Sequence, residues 1–159
     1  MRPNAPLVVV ALAAGALLAS QGAFAQGNPR LGTWKLDVSK SKYEPGPPPK
    51  SETRTYAASD GDAVTLSAET VAADGTKQSS SYTAKYDGKD YPFHSTIGDT
   101  IAIKAVDAYT ITANVKKAGK VVQTTRSVVS KDGKTLTMTT KGVGPDGKPL
   151  SNTRIYHRQ

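Results

Sequence analysis

From Gly32 to His157 the chain is written in period two. Short runs place apolar side chains at every second position, as with Trp34, Leu36 and Val38, or Tyr109, Ile111, Ala113 and Val115, while threonine, serine and lysine fill most of the alternate positions. That is the pattern of strands with one face buried. Asp-Gly pairs at 60–61, 74–75, 87–88, 132–133 and 146–147, together with Ala118-Gly119, separate the runs. Asp-Gly suits two-residue hairpin loops, whose two central positions both need positive φ. After a first strand at 32–38, strands are expected at 53–57, 63–69, 79–86, 91–95, 100–105, 108–116, 120–130, 135–141 and 150–157. Pro92 argues for an edge, bulge or bend in the shortest of them. No segment carries helical periodicity. The reading is an all-β chain folded as a single up-and-down antiparallel barrel of about 8–10 strands, with 32–38 paired to 150–157 because closure removes two exposed edges.

The N-terminus has a different grammar. Arg2 precedes an apolar run from Leu7 to Ala19 and then Ala23-Phe24-Ala25, the three-part layout of a secretory signal peptide. Residues 1–25 are therefore expected to be removed, with Gln26 as the mature N-terminus and a periplasmic or secreted product. The apolar core is too short to span a bilayer, so no membrane span is expected after cleavage. The remainder, 26–159, is of ordinary size for one domain. There is no cysteine, so stability must come from burial and strand pairing rather than disulfides.

Loss of Arg2 leaves 20 basic residues against 13 acidic ones. The lysines stand singly beside turns, as Lys77, Lys89, Lys120, Lys134 and Lys148 do. Such placement favours solubility and guards against edge-to-edge association. There is no basic stripe interleaved with aromatics, so nucleic acid is not an expected partner. Residues 39–50 break the alternation, and Glu44-Pro45-Gly46-Pro47-Pro48-Pro49 can enter neither a helix nor a central strand. An extended Pro-rich arm is expected at 43–50.

The two ends of the barrel segment carry a resemblance. Gly32-Thr33-Trp34-Lys35-Leu36 near the start, then Thr125-Arg126, Asp132-Gly133-Lys134-Thr135-Leu136-Thr137 and Thr153-Arg154-Ile155-Tyr156, resemble the calycin superfamily of lipocalins and fatty-acid-binding proteins. The opening and the Asp-Gly-Lys-Asp-Tyr-Pro segment at 87–92 also look like a group of small exported bacterial proteins. The fatty-acid-binding resemblance implies a ligand carboxylate held inside the barrel by Arg126, Arg154 and Tyr156. The lipocalin resemblance implies a different role for Arg154, closing the barrel end by stacking over Trp34. The Pro-rich arm stands where fatty-acid-binding proteins have lid helices.

Geometry alone says that Arg154 and Tyr156, two apart on a strand, share a face. If that face is interior, Arg126 on a neighbouring strand can join them around an anion, since a guanidinium forks two hydrogen bonds onto a carboxylate. Tyr82, Tyr86, Tyr91, Phe93 and Tyr109 either line a cavity or fill it. His94 and His157 lack metal-ligand spacing and companions, and no nucleophile elbow or phosphate loop occurs. No catalytic residue, metal or cofactor is expected. The preferred reading is a monomeric, non-catalytic, lipocalin-like protein binding a small apolar or amphipathic ligand, fatty-acid-like or otherwise anionic, through Arg126, Arg154, Tyr156, Tyr82 and Tyr109. The alternative is an envelope interaction or inhibitor module with a filled barrel and a working surface on the Pro-rich arm. An open interior favours the first, a packed interior the second.

Overall fold

The computed structural model describes residues 27–159; the segment expected to be a signal peptide lies outside the described residues. Ten strands follow one another: β1 (Gly32–Glu44), β2 (Ser51–Ala58), β3 (Val64–Val71), β4 (Lys77–Ala84), β5 (Asp87–His94), β6 (Thr100–Ala105), β7 (Thr110–Lys117), β8 (Lys120–Val129), β9 (Thr135–Val143) and β10 (Pro149–Arg158). Each pairs antiparallel with its sequence neighbour, and β1 pairs with β10, so the sheet closes into an up-and-down barrel. A 3-10 turn at Asp60–Asp62 is the only helical element among the described residues. The expected closure is present, with Trp34 opposite Arg158 and Leu36 opposite Tyr156.

The alternation sets what faces inward. Trp34, Leu36, Leu66, Ala68, Tyr82, Ala84, Ile101, Ile103, Val129, Leu136 and Tyr156 are buried, and their even spacing along each strand is the period-two pattern realised. The ladder is thinnest between β4 and β5, where Ser81↔His94 and Tyr82↔Phe93 alone are paired. Pro92, the next residue on β5, has no N–H to extend it.

Two local features depart from the sequence expectation. The first strand runs past Val38 to Glu44 because a bulge between Asp37 and Lys42 absorbs extra residues against β10. The Ser41 hydroxyl stands in for the missing ladder, accepting from the Ile155 N–H at 2.9 Å and donating to the Asp37 carbonyl at 2.7 Å. Asp37 anchors the bulge: its carboxylate accepts from the Ser39 hydroxyl at 2.6 Å and the Lys40 N–H at 3.2 Å. The Ser39 bond is the main cause holding that carboxyl down to about 2. The bulge also shifts the phase of the strand, so that Tyr43 turns inward while Lys42 is exposed. Uninterrupted alternation from Trp34 would have pointed Lys42 into the barrel.

The turns are the second departure. The Asp-Gly pairs are not two-residue loops with both residues at positive φ: at 60–61, 74–75, 87–88, 132–133 and 146–147 the glycine adopts it and the aspartate does not. In four of them the aspartate side chain accepts an N–H two residues ahead, Asp74 from Thr76, Asp87 from Lys89, Asp132 from Lys134 and Asp146 from Lys148. This Asx geometry explains the recurring aspartate without requiring left-handed backbone there. The two-residue hairpin of the expected kind is Ala118-Gly119, with φ of 49° and 78° between the paired Lys117 and Lys120.

Candidate functional site

The two ends of the barrel differ. At one end the segment before β1 folds across the opening. Arg30 is 2% exposed and plugs the interior, donating to the Ser127 hydroxyl at 2.6 Å and to the carbonyls of Tyr109 and Ser127. The indole N–H of Trp34 donates to the Arg30 carbonyl at 2.8 Å. Over the Trp34 ring lies the guanidinium of Arg158, 4.2 Å from the ring centroid, and it donates to the carbonyls of Pro29, Leu31 and Gly133 at 2.6 Å each. The arginine that closes the barrel over Trp34 is therefore Arg158, not Arg154, which corrects that expectation. Arg158 sits directly across the ladder from Trp34, whereas Arg154 is four residues further into β10 and reaches the opposite end.

Gly32 belongs to this closure. A Cβ there would stand 2.6 Å from Arg158 Nη1, and its φ is +118°. Glycine at the start of the Gly-x-Trp motif thus makes room for the arginine that covers the tryptophan. Gly32→Ala is expected to lower the melting temperature by displacing that guanidinium and straining the backbone, a loss of about 1–3 kcal/mol, measurable by thermal unfolding. Wild-type stability in the variant would contradict it.

The other end is polar inside. Glu52, Arg54 and Tyr56 point inward from β2, and Arg154 and Tyr156 from β10. Arg54 Nη1 donates to Glu52 Oε1 at 2.7 Å, the Tyr156 hydroxyl donates to the same oxygen at 3.0 Å, and Arg154 Nη1 lies 3.7 Å from Glu52 Oε2. Arg54 Nε donates to the Tyr56 hydroxyl at 3.1 Å, and Arg154 Nη2 to Thr140 Oγ1 at 3.0 Å. Thr140 in turn shares a 2.8 Å hydrogen bond with Thr125. Guanidinium and phenol rings alternate towards the closed end: Arg54 lies 5.9 Å from the Tyr156 centroid and 5.7 Å from that of Tyr56, and Arg30 lies 6.0 Å from the Tyr56 centroid. Such contacts, with the hydrogen bonds, lower the cost of burying guanidinium ions that never lose their proton.

Burial alone would raise the Glu52 carboxyl pKa. The charges of Arg54 and Arg154 and the hydrogen bonds from Arg54 and Tyr156 outweigh burial and hold it below its ordinary value, so the group is a carboxylate. Burial pushes the Tyr43 hydroxyl up to about 12 against the opposing influence of Arg154. Two buried donors here have no partner among the described residues, Arg154 Nε and the Tyr43 hydroxyl.

Beside this cluster lies an interior cavity of about 140 Å³, walled by Leu66, Tyr82, Phe93, Ile101, Ile111 and Met138 together with Glu52, Arg54 and Arg154. It continues into a mouth of about 340 Å³ that shares Glu52, Gln123 and Arg154 with it and is framed by Pro47 and Pro49 of the Pro-rich arm, by Ile97, and by Leu150. The arm expected from the sequence thus forms one rim of the opening. The cavity is not filled by the aromatic residues: Tyr82 and Phe93, 6.1 Å apart edge to face, line it.

The expected anchors are placed as follows. Arg154 and Tyr156 come together inside the barrel around a carboxylate, and Tyr82 lines the cavity. Arg126 does not join them. On β8 the inward residues are Gln123, Thr125, Ser127 and Val129, so Arg126 is exposed on the outer face, opposite Thr112 and Thr139 of the neighbouring strands. Tyr109 is 36% exposed in the connection between β6 and β7 and lines neither cavity nor mouth. The second interior guanidinium is Arg54, and the carboxylate is the chain's own Glu52. The sequence does carry their signal, since Glu52, Arg54 and Tyr56 stand at i, i+2 and i+4. What hid it was the inversion of the usual rule, because the charged residues face in while Thr53 and Thr55 face out. Among the described residues no group of three or more His, Asp or Glu side chains is placed to hold a metal.

No protein-family profile matches the sequence, and no curated protein matches it. Solved structures do. The crystal structure of wild-type fluorescent protein UnaG matches with a TM-score of 0.52 and 17% identity over 81% of this chain and 96% of that one. Zebrafish ileal bile acid-binding protein, crystallised with cholic acid, gives 0.51 and 14% over 82% and 99%. Rv2717c from M. tuberculosis gives 0.52 and 18% over 87% and 98%. The chain has the calycin-like fold, a closed antiparallel barrel with one sealed end and one open one.

Proposed function

We propose that this protein is a non-catalytic binding barrel for a small amphipathic ligand, with the apolar part held against Leu66, Ile101, Ile111 and Met138 and an anionic head received at Arg154. The observation that carries this reading is the apolar cavity with buried guanidinium groups at its open end. A cavity of about 140 Å³ is close to one that takes a benzene-sized group. A short chain or single ring fits inside, and a longer ligand extends into the mouth. Each buried methylene contributes about 0.8 kcal/mol. The signal-like N-terminus supports a site of action outside the cytoplasm, and the neighbour crystallised with cholic acid supports the ligand class. The open interior favours binding inside the barrel over an interaction module working through a filled one.

Arg154→Ala is expected to weaken an anionic apolar ligand such as octanoate about tenfold and to leave octan-1-ol nearly unchanged, because the charged head alone loses its partner. Arg126→Ala, on the outer face, should change neither. Isothermal titration of the three proteins decides the matter. Equal losses for acid and alcohol would mean that Arg154 acts through the fold, and an effect of Arg126 would place the site elsewhere.

A further inference from the structure

Among the described residues, the charged groups that line the cavity and its mouth are three: Glu52, Arg54 and Arg154. Two cations face one anion, and they are not equally satisfied. Arg54 is spent on the chain's own groups, with Nη1 on Glu52 at 2.7 Å and Nε on Tyr56 at 3.1 Å. Glu52 Oε1 is spent as well, accepting from both Arg54 and Tyr156. Arg154 is different. Among the described residues its one hydrogen bond goes to a neutral hydroxyl, its carboxylate neighbour is at 3.7 Å, and its Nε is buried with no partner. The Tyr43 hydroxyl, turned inward by the β1 bulge onto the same mouth, is a second buried donor with none. Buried donors of this kind are costly unless something accepts from them.

We propose that Glu52 is a built-in counter-ion that fixes the charge of the ligand at one, so that the barrel takes a monoanionic amphiphile whose head is bound by Arg154 and the Tyr43 hydroxyl. This rests on the reading of the barrel as a binding site and adds the charge class of its ligand. With Glu52 in place the lining carries a single uncompensated positive charge. A carboxylate or sulfonate neutralises it, a neutral head leaves Arg154 Nε and Tyr43 unanswered, and a dianion brings one negative charge into the barrel without a partner. Specificity then comes as much from the repulsion supplied by Glu52 as from the attraction of Arg154.

The test compares octanoate, octan-1-ol and octyl phosphate at pH 8, where the phosphate is close to a dianion, by calorimetric titration of the mature protein and of Glu52→Gln. In the wild type octanoate should bind at least tenfold more tightly than either of the others. In E52Q, which exposes a second guanidinium charge, octyl phosphate should gain at least tenfold relative to octanoate while octan-1-ol stays where it was. A double variant, Glu52→Leu with Arg54→Met, removes one charge of each sign and must keep the wild-type order; it carries the test if E52Q fails to fold. A phosphate-to-octanoate ratio unchanged in E52Q, or a preference lost in the double variant, overturns the role of Glu52. Failure of the wild type to take up any of the three overturns instead the binding reading on which it rests.

Discussion

Replacing Arg158 by alanine is expected to lower the melting temperature by about 10 °C. Three charge-assisted hydrogen bonds and a stacking contact hold one guanidinium between Trp34, the segment before β1 and the turn after β8. Hydrogen bonds to charged groups contribute roughly 1.5–3 kcal/mol each and a partly exposed cation–π pair about 1 kcal/mol. Their sum is discounted because Arg158 is only half-buried. A net loss of about 3 kcal/mol corresponds to the quoted shift for a domain of this size. Arg158→Lys should recover less than half, since an ammonium can neither lie flat on the indole nor fork towards three carbonyls. Differential scanning calorimetry of both variants is the check. Full stability in Arg158→Ala would show that the closed end is held by Arg30 and strand pairing alone.

The second large effect belongs to Glu52. Glu52→Ala leaves Arg54 and Arg154 buried and facing each other without a carboxylate, a change expected to cost about 3–5 kcal/mol. The double replacement Glu52→Leu with Arg54→Met should cost far less, because it removes the pair rather than one member of it. The same group gives a pH signature. Its folded pKa lies below the ordinary value of 4.5, so its contribution is fully present above that pH and is lost as pH falls through the folded pKa. Below about pH 4 the wild type should therefore lose stability more steeply than the double variant. Parallel acid-unfolding curves for the two would contradict the ion-pair account.

How much of this could be read from the residues follows from what alternation encodes. Period two reports which positions share a face, and so it placed ten strands, closed the barrel through Trp34 and β10, and brought Arg154 and Tyr156 to one side. It does not report which face is interior when both are polar. Arg126 follows Thr125 as Arg154 follows Thr153, yet one points out and the other in, because β8 buries Gln123, Thr125 and Ser127 while β10 turns Arg154 and Tyr156 onto Glu52. Nor does period two survive a bulge. The three-residue shift in register between Asp37 and Lys42 exchanges the faces of everything beyond it and brings Tyr43 to the mouth. The assignment of the Trp34 partner failed for a related reason. Arg154 and Arg158 are four apart and differ by position along the strand, which is fixed by the register against β1 and not by any feature of β10 alone.

The central claim, that a ligand enters the end of the barrel where Glu52, Arg54 and Arg154 meet, is tested most directly by titrating isotopically labelled protein spanning residues 26–159 with octanoate and following amide and side-chain shifts by NMR. The account predicts saturable changes at Tyr43, Glu52, Gln123 and Arg154, with smaller ones at Leu66 and Ile101 deeper in the cavity, and none at the sealed end around Arg30 and Trp34. Changes confined to the exposed Val106, Tyr109 and Val121, or no saturable change at all, would contradict it.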